Sequence, residues 1–269
     1  MGKYITIHGG NVSGFYNRTA SSAMEAAQLC DTTFYEDLDS LIEVSDTLFI
    51  TTTDRAIEEI WDCIAAKNVR GKVICHFSGS LSSDIFSNRK RVGVYACSLH
   101  PIYAFSNKIT AYQNLTEAIF TVEGDDTALE RMQELFDLIP NRIVKLPTEA
   151  KVKYHAAASV AGNQVTGLVW MAVQLLMEAG IEETTAYEML APLVENCVKS
   201  IFSGGCKDAL TGPIERGDII TVKKHLEALD NALWNQTYRA AGIVVTELAR
   251  RKNPARNYEE IEQLLRESE

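Results

Sequence analysis

Thr47-Leu48-Phe49-Ile50-Thr51-Thr52 is an apolar run rich in β-branched and aromatic side chains, and an amphipathic segment follows it at residues 55–66. The next apolar run, at residues 72–76, is again typical of a strand. A strand, a helix and a second strand in this order form the unit from which parallel sheets are built. This part of the chain therefore predicts an α/β fold with a mostly parallel sheet covered by helices.

The same alternation extends over the first half of the chain. Further strands are predicted at residues 12–17, 92–97, 118–122 and 142–146, and further helices at residues 21–29, 81–86 and 127–138. After Pro147 the strand pattern stops, and helical patterns cover residues 149–178, 182–202, 219–229, 231–251 and 258–266. We therefore predict an α/β domain at residues 1–147 and an all-helical domain at residues 148–269. The two are expected to pack closely, with a site between them, because no flexible linker separates them.

The composition is that of a soluble globular protein, with 269 residues of which 46% are hydrophobic and 23% charged. A net charge of −10 argues against nucleic acid or an anionic membrane as the main partner. The six cysteines form no C-x-x-C pair, which favours reduced core thiols and a cytoplasmic location. Polar residues interrupt the most apolar segment, residues 156–177, so we predict a buried helix there rather than a membrane span.

A glycine cluster near the start of the chain, Gly9-Gly10-Asn11-Val12-Ser13-Gly14, resembles a phosphate-binding loop. The spacing is poor, because a G-x-G-x-x-G motif that ends at Gly14 requires glycine where the chain has Asn11. We favour the interpretation that residues 1–8 end a helix and residues 12–17 form a strand. The phosphate loop stays open as the alternative.

Short polar clusters with histidine lie at the ends of apolar stretches, and these are His76-Phe77-Ser78-Gly79, Ser98-Leu99-His100-Pro101 and Lys153-Tyr154-His155. Histidine changes charge near neutral pH, and loops at strand ends often carry chemistry. A functional role is favoured for His76 and Ser78. For His100 a rigid turn before Pro101 is an equal alternative, and for His155 a structural role is equally open. No histidine pair has the spacing of a metal motif, so no metal site is predicted.

Several motifs, taken in order, resemble the Rossmann-like plus domain-of-unknown-function-2520 family, distant relatives of pyrroline-5-carboxylate reductase and the β-hydroxyacid dehydrogenases. The matching motifs are residues 16–18, 49–54, 76–80, 98–101 and 153–157, Asn163, and residues 209–218. Family members begin with a strand and a glycine-rich turn, which should lie upstream of Met1. We therefore expect the central strand of the sheet and its pyrophosphate turn to be absent, through truncation or through loss.

The resemblance implies an oxidoreductase that uses NADP, acts on an unidentified small molecule and has a Rossmann-like dinucleotide-binding domain. The expected cofactor contacts are Arg18, Thr51, Thr53, Asp54, His76, Ser78, Gly79 and His100, with Arg18 beside the 2′-phosphate. Arg18 could equally be a surface residue, and Thr53 or Asp54 a helix cap. The catalytic candidates are His155, Asn163 and Lys153. The related dehydrogenases have asparagine four residues after a catalytic lysine, whereas four residues after Lys153 this chain has Ala157.

Two functions therefore remain open from the sequence. One is an NADP-dependent oxidoreductase with the small-molecule substrate held against the helices after residue 147. The other is a non-catalytic nucleotide-binding or regulatory protein with a degenerate cofactor site. Small residues at Ala157, Ala161 and Gly162 permit close helix packing, so a homodimer through the C-terminal helices is also expected.

Overall fold

The computed structural model of the chain describes residues 1–105, 107 and 109–267. Its contacts divide the chain into two compact units, Met1–Gln164 and the part from Val165 onward. The first unit contains a mostly parallel sheet with helices on both faces, and the second is helical. The predicted fold class, a Rossmann-like α/β domain followed by helices, is confirmed.

The first unit alternates strands and helices as the sequence predicts. Its strands are β1 (Gly14–Phe15), β2 (Thr33–Phe34), β3 (Thr47–Ile50), β4 (Val73–His76), β5 (Tyr95–Ile102), β6 (Ile119–Gly124) and β7 (Ile143–Lys145). Its helices are α1 (Gly2–Ile7), α2 (Ala20–Cys30), α3 (Leu38–Val44), α4 (Asp54–Ala65), α5 (Arg89–Val92), α6 (Asp126–Phe136) and α7 (Lys151–Ser159). The pattern did not reveal β2 and α3, because both are too short to show a period. At residues 81–86 the expected helix is a single 3-10 turn at Ser83–Ile85.

The strands form two sheets. One has the order β3-β4-β5-β6-β7, with β5 and β6 antiparallel and the other neighbours parallel, while β1 and β2 form a separate parallel pair. Within the described part of the chain, β1 and β3 each have one hydrogen-bonded neighbour. The expected absence of a central strand stays a prediction.

Two apolar cores cover the two faces of the five-stranded sheet. On one face Cys75, Leu99 and Phe120 pack with Tyr4 of α1 and with α6, and on the other face Trp61 of α4 is fully buried. The hydroxyl of Tyr4 donates to Asn141 Oδ1 at 2.6 Å. This buried bond fixes α1 against the segment that leads into β7.

The glycine cluster ends helix α1. The Gly9 N–H donates to Thr6 O at 3.1 Å and the Gly10 N–H to Ile5 O at 3.0 Å, and Gly9 has a φ of +84°. These two bonds form a Schellman motif, in which glycine supplies the left-handed residue. The prediction that this segment ends a helix and leads into a strand is confirmed, and the phosphate-loop alternative is wrong for these glycines.

Strand β5 is longer than the sequence predicts, because it continues through His100 and Pro101 to Ile102. Beyond Ser98 the strand pairs with β6 alone, since the β4 register ends at the pair His76 and Ser98. A proline is tolerated where one side of a strand carries no ladder. His100 is therefore held in a sheet, and the alternative of a rigid turn is wrong.

The second unit is built from helices α8 (Val165–Glu178), α9 (Glu183–Gly204), α10 (Cys206–Ala209), α11 (Pro213–Arg216), α12 (Ile219–Ala228), α13 (Ala232–Lys252) and α14 (Glu259–Arg266). Its small core contains Ile214, Val222, Leu226, Ile261 and Leu265. A π-helical segment, Val160–Gln164, joins α7 to α8. The last strand ends at Lys145, close to the predicted domain boundary at 147, whereas the contact units divide after Gln164.

The apolar helix that begins the second half is exposed rather than buried. Thr148–Glu178 is long and apolar enough to cross a membrane by length and composition, and 11% of its most apolar window is buried. The prediction of a buried helix is therefore wrong for the single chain. Cys63, Cys197 and Cys206 are likewise exposed, whereas the other three cysteines lie in the core as expected.

Candidate functional site

The candidate site lies in the first unit, where the parallel strands β3, β4 and β5 end. Ligands of open α/β sheets bind beyond the carboxyl ends of such strands. The segment after β4, residues 77–82, runs beneath side chains from β5 and α7, and its contacts are built almost entirely from serine, histidine and lysine.

His76 holds the segment after β4 in place. Its Nδ1 accepts the Ser78 N–H at 3.1 Å, so the ring proton resides on Nε2, which donates to Ser82 O at 3.2 Å. The imidazole is fully buried, and burial is the main cause that lowers its pKa. Both ring nitrogens are therefore used within the segment, which assigns His76 a positioning role rather than a direct cofactor contact.

Ser78 and Asp54 link the segments that follow β3 and β4. Ser78 Oγ donates to Asp54 Oδ2 at 2.7 Å and accepts the Leu81 N–H at 3.0 Å. Ser80 Oγ donates to the same carboxylate oxygen at 3.1 Å. Thr53 is the N-cap residue of α4, and its carbonyl accepts the Ala56 N–H. Asp54 therefore connects two strand ends, and is more than a helix cap.

Gly79 lies beneath two histidine rings. A Cβ atom at this position would be 2.4 Å from His155 Cδ2 and 2.8 Å from His100 Nε2. The two rings are edge to face, with centroids 6.1 Å apart. Glycine is required here because a side chain would occupy the space that the imidazoles fill.

His100 is hydrogen-bonded to a tyrosine. Its Nδ1 lies 2.8 Å from Tyr154 Oη. Burial foremost, together with the positive charges of Lys151 and His155, lowers the pKa of His100 to about 4, and Asp54 opposes this shift. The imidazole is therefore uncharged at neutral pH, and burial also raises the pKa of Tyr154. The pair has one neutral imidazole and one protonated phenol.

Lys151 is a buried charged residue of the cluster that the sequence interpretation did not name. Its side chain is 2% exposed, and Nζ donates to Ser98 Oγ at 2.7 Å and to Ser78 O at 2.9 Å. Burial foremost lowers the pKa of this ammonium. The helical period could have found it, since residues three and four positions apart share a face and Lys151 precedes Tyr154 and His155 by these intervals.

The other predicted catalytic residues lie outside this cluster. Lys153 is exposed on α7, and Asn163 is exposed in the π-helical segment. Lys153 lies two residues from Lys151, which places it on a different face of the helix. The structure therefore brings together His155, His100, Ser78, Gly79 and Asp54 among the predicted residues, with Lys153 and Asn163 apart from them.

The predicted adenosine and nicotinamide contacts are surface residues. Arg18 is exposed at the start of α2, where Asn17 Oδ1 accepts the Thr19 N–H at 2.8 Å. Thr51 and Thr53 are exposed between β3 and α4. All three side chains lie beyond the carboxyl end of a strand of the first unit, on the edge that the fold class uses for dinucleotides.

These observations define a Rossmann-like α/β protein with a histidine-rich site at the strand ends and a helical C-terminal part. Residues 118–243 match the family described as "Domain of unknown function (DUF2520)", which confirms the resemblance over this part of the chain. No curated protein sequence matches the chain.

Solved structures with the same fold include pyridine-nucleotide enzymes. A protein of Bacteroides fragilis, described provisionally as an NADP oxidoreductase, aligns with a TM-score of 0.71 and 21% identity over 91% of this chain and 92% of its own. A Thermotoga maritima protein aligns with a TM-score of 0.70 and 23% identity, over 88% of this chain and 90% of its own. The pyrroline carboxylate reductase of Plasmodium falciparum was solved with NADP bound. It aligns with a TM-score of 0.57 and 12% identity, over 93% of this chain and 92% of its own. At sequence identities this low, the structural similarity establishes a shared fold and nothing more specific.

Replacing Gly79 with alanine should displace both histidine rings. In Gly79→Ala the new methyl group overlaps His155 Cδ2 and His100 Nε2, so the side-chain NMR signals of both histidines should shift. Overpacking of this kind costs about 1–3 kcal/mol of unfolding free energy. Gly167→Ala is the control, because no heavy atom lies within 4 Å of its Cβ position. Unchanged histidine spectra in the folded Gly79→Ala variant would contradict the described site.

Proposed function

We propose that this protein is an NADP-dependent oxidoreductase that reduces a carbon–nitrogen or carbon–oxygen double bond of a small molecule. The observation that carries the proposal is the cluster of His100, Tyr154 and His155 above Gly79, at the strand ends of a dinucleotide-binding fold. Titratable groups with shifted pKa values at such a position are candidates for proton transfer. The chemistry of the similar solved structures supports the same class of reaction.

The residues fit the two ends of NADP. Arg18 lies just before α2, a helix of 11 residues, and its side chain is exposed. An arginine beside a helix N-terminus suits the 2′-phosphate of NADP. Thr51, Thr53 and Gly79 lie where the nicotinamide end would be held.

Bound NADPH would supply the hydride, and the protein would supply position and a proton. His155 is the proposed proton donor, because it is exposed next to Gly79 and His100. The Tyr154 hydroxyl, bonded to His100, would orient the polar atom of the substrate through its remaining hydrogen-bonding capacity. The uncharged His100 avoids placing a second cation beside the proton donor.

We also propose that the helical part forms a homodimer. Helix α9 has 22 residues, and one of them, Ala186, is buried in the described structure. Helix α9 packs against α8 and α10, but most of its surface stays exposed, so a partner is proposed to cover the rest. Large apolar side chains are exposed along this helix, and Phe202 is 86% and Leu193 66% exposed. Apolar patches of this kind mark interfaces.

A second copy explains this surface better than a bilayer does. The exposed apolar residues are spread over several helices, and α9 also exposes Glu195 and Lys199 between them. Charged side chains at the centre of a membrane are costly, whereas the rim of a protein interface accepts them. A soluble dimer is consistent with the proposed cytoplasmic location.

Removal of Arg18 should weaken binding of NADPH selectively. A charged hydrogen bond to phosphate contributes about 1.5–3 kcal/mol, so Arg18→Ala should raise the Kd for NADPH by about 10- to 100-fold. The affinity for NADH should stay unchanged because NADH lacks the phosphate. Fluorescence titration measures both, and Arg142→Ala, an exposed arginine after α6, is the control. If wild-type protein binds neither nucleotide, the non-catalytic alternative is favoured.

Removal of His155 should abolish turnover without unfolding the protein. A positioned proton donor contributes about 100- to 10,000-fold to the rate, so kcat in His155→Ala should fall by about that factor. NADPH oxidation is followed with small cyclic imines and ketones as probes. Lys153→Ala, on the exposed part of the same helix, is expected to retain wild-type kcat. An equal loss in both variants would show that the proton donor is wrongly assigned.

A charge on the exposed face of α9 should disrupt the dimer. Phe202→Glu places a carboxylate in the proposed interface, so the species seen by light scattering after gel filtration should change from dimer to monomer. Leu138→Glu is the control, because Leu138 is 52% exposed on the first unit. A monomeric wild-type protein, or partition of the wild-type chain into membranes, would contradict the proposed assembly.

A further inference from the structure

The buried ammonium of Lys151 has neutral hydrogen-bond partners. Nζ donates to the carbonyl of Ser78, which follows β4, and to the hydroxyl of Ser98, within β5. Ser98 precedes His100 by two residues, so both side chains lie on the same face of the sheet. A buried ammonium costs several kcal/mol unless it is compensated. Here the nearby acidic groups Glu123 and Asp54 favour the charged form without bonding to it.

Lys151 also fixes the orientation of α7. Tyr154 and His155 follow it by three and four residues, so all three side chains share one face of this helix. The ammonium lies 5.8 Å from the centroid of the Tyr154 ring. Anchoring Lys151 to β4 and β5 therefore sets the positions of Tyr154 and His155 relative to His100.

We propose that Lys151 is the positioning residue of this site, holding Tyr154 and His155 against His100 through its two hydrogen bonds. The positive charge of Lys151 also disfavours a charged His100 imidazole. Lys151 acts through the other residues, because its own side chain is buried beneath them. The inference concerns the same site as the proposed function, but its test requires neither cofactor nor substrate.

The charged and titratable groups around His100 come from three elements. Lys151 and His155 on α7 disfavour a charged imidazole, and Asp54 on α4 favours it. Tyr154 on α7 shares the hydrogen bond with His100. Glu123 on β6 acts on Lys151, while its carboxylate accepts hydrogen bonds from Ser83 and Thr148. Lys151 is therefore the one fixed cation in this set of groups.

The experiment is an NMR titration of the histidine side chains in the ligand-free protein, comparing wild type with Lys151→Gln and Lys151→Arg. Glutamine keeps a donor but removes the charge, and arginine keeps the charge. The midpoint for His100 should rise by about one pH unit or more in Lys151→Gln, the size of shift that a neighbouring charge produces. It should stay near the wild-type midpoint in Lys151→Arg.

Three outcomes would overturn the proposal. An unchanged midpoint in a Lys151→Gln protein with the wild-type near-ultraviolet circular dichroism would show that the charge is irrelevant. A wild-type midpoint at or above the ordinary value of 6.5 would show that His100 is not held uncharged. If Lys151→Gln fails to fold, Lys151→Met replaces it, and failure of both with a folded Lys151→Arg would assign Lys151 to folding alone. Failure of the protein to bind NADPH would contradict the proposed function but not the positioning role of Lys151, because the titration uses ligand-free protein.

Discussion

The hydrogen bonds that Lys151 Nζ donates to Ser78 O and Ser98 Oγ join α7 to two strands at the edge where the site lies. An ammonium is costly to bury, and two neutral acceptors offset this cost less well than a carboxylate would. The surrounding cores on both faces of the sheet must therefore supply the stability that holds it there. The contacts that α7 makes in the site depend on this arrangement, because Tyr154 and His155 are carried by the same helix as Lys151.

The strand and helix order could be predicted from local pattern, because buried parallel strands are short apolar runs and their helices are amphipathic. Features that depend on long-range pairing could not. The extension of β5 through Pro101 requires β6 as a neighbour, and β6 lies about twenty residues further along the chain. The exposure of α9 was equally hidden, since an apolar pattern predicts burial without showing whether the same chain or another one supplies the cover.

Part of the cluster that the structure brings together can be predicted from the sequence, and the rest depends on helical spacing and long-range contacts. His100, His155, Ser78 and Gly79 were found because they lie in clusters at the ends of apolar runs. Lys153 follows from the resemblance to dehydrogenases with a catalytic lysine, whereas on a helix the residues that share a face with Tyr154 and His155 are three and four positions away, as Lys151 is. His76 and His100 look alike in the sequence, yet the first has both ring nitrogens bonded within its own segment and the second bonds across to α7.

The composition of the site bears on the choice between an enzyme and a non-catalytic protein. A protein that needed only to fold would gain stability by replacing the buried Lys151 with an apolar residue of similar volume. Gly79 restricts this segment to the one residue that leaves room for both imidazoles. Arrangements that cost stability in this way are expected at functional sites and are compensated elsewhere in the fold. The cluster lies at the nicotinamide end of the proposed cofactor site, separate from the phosphate end near Arg18, so weak phosphate binding would lower cofactor affinity without removing the proton-transfer groups. These features favour the proposed enzyme over the non-catalytic alternative.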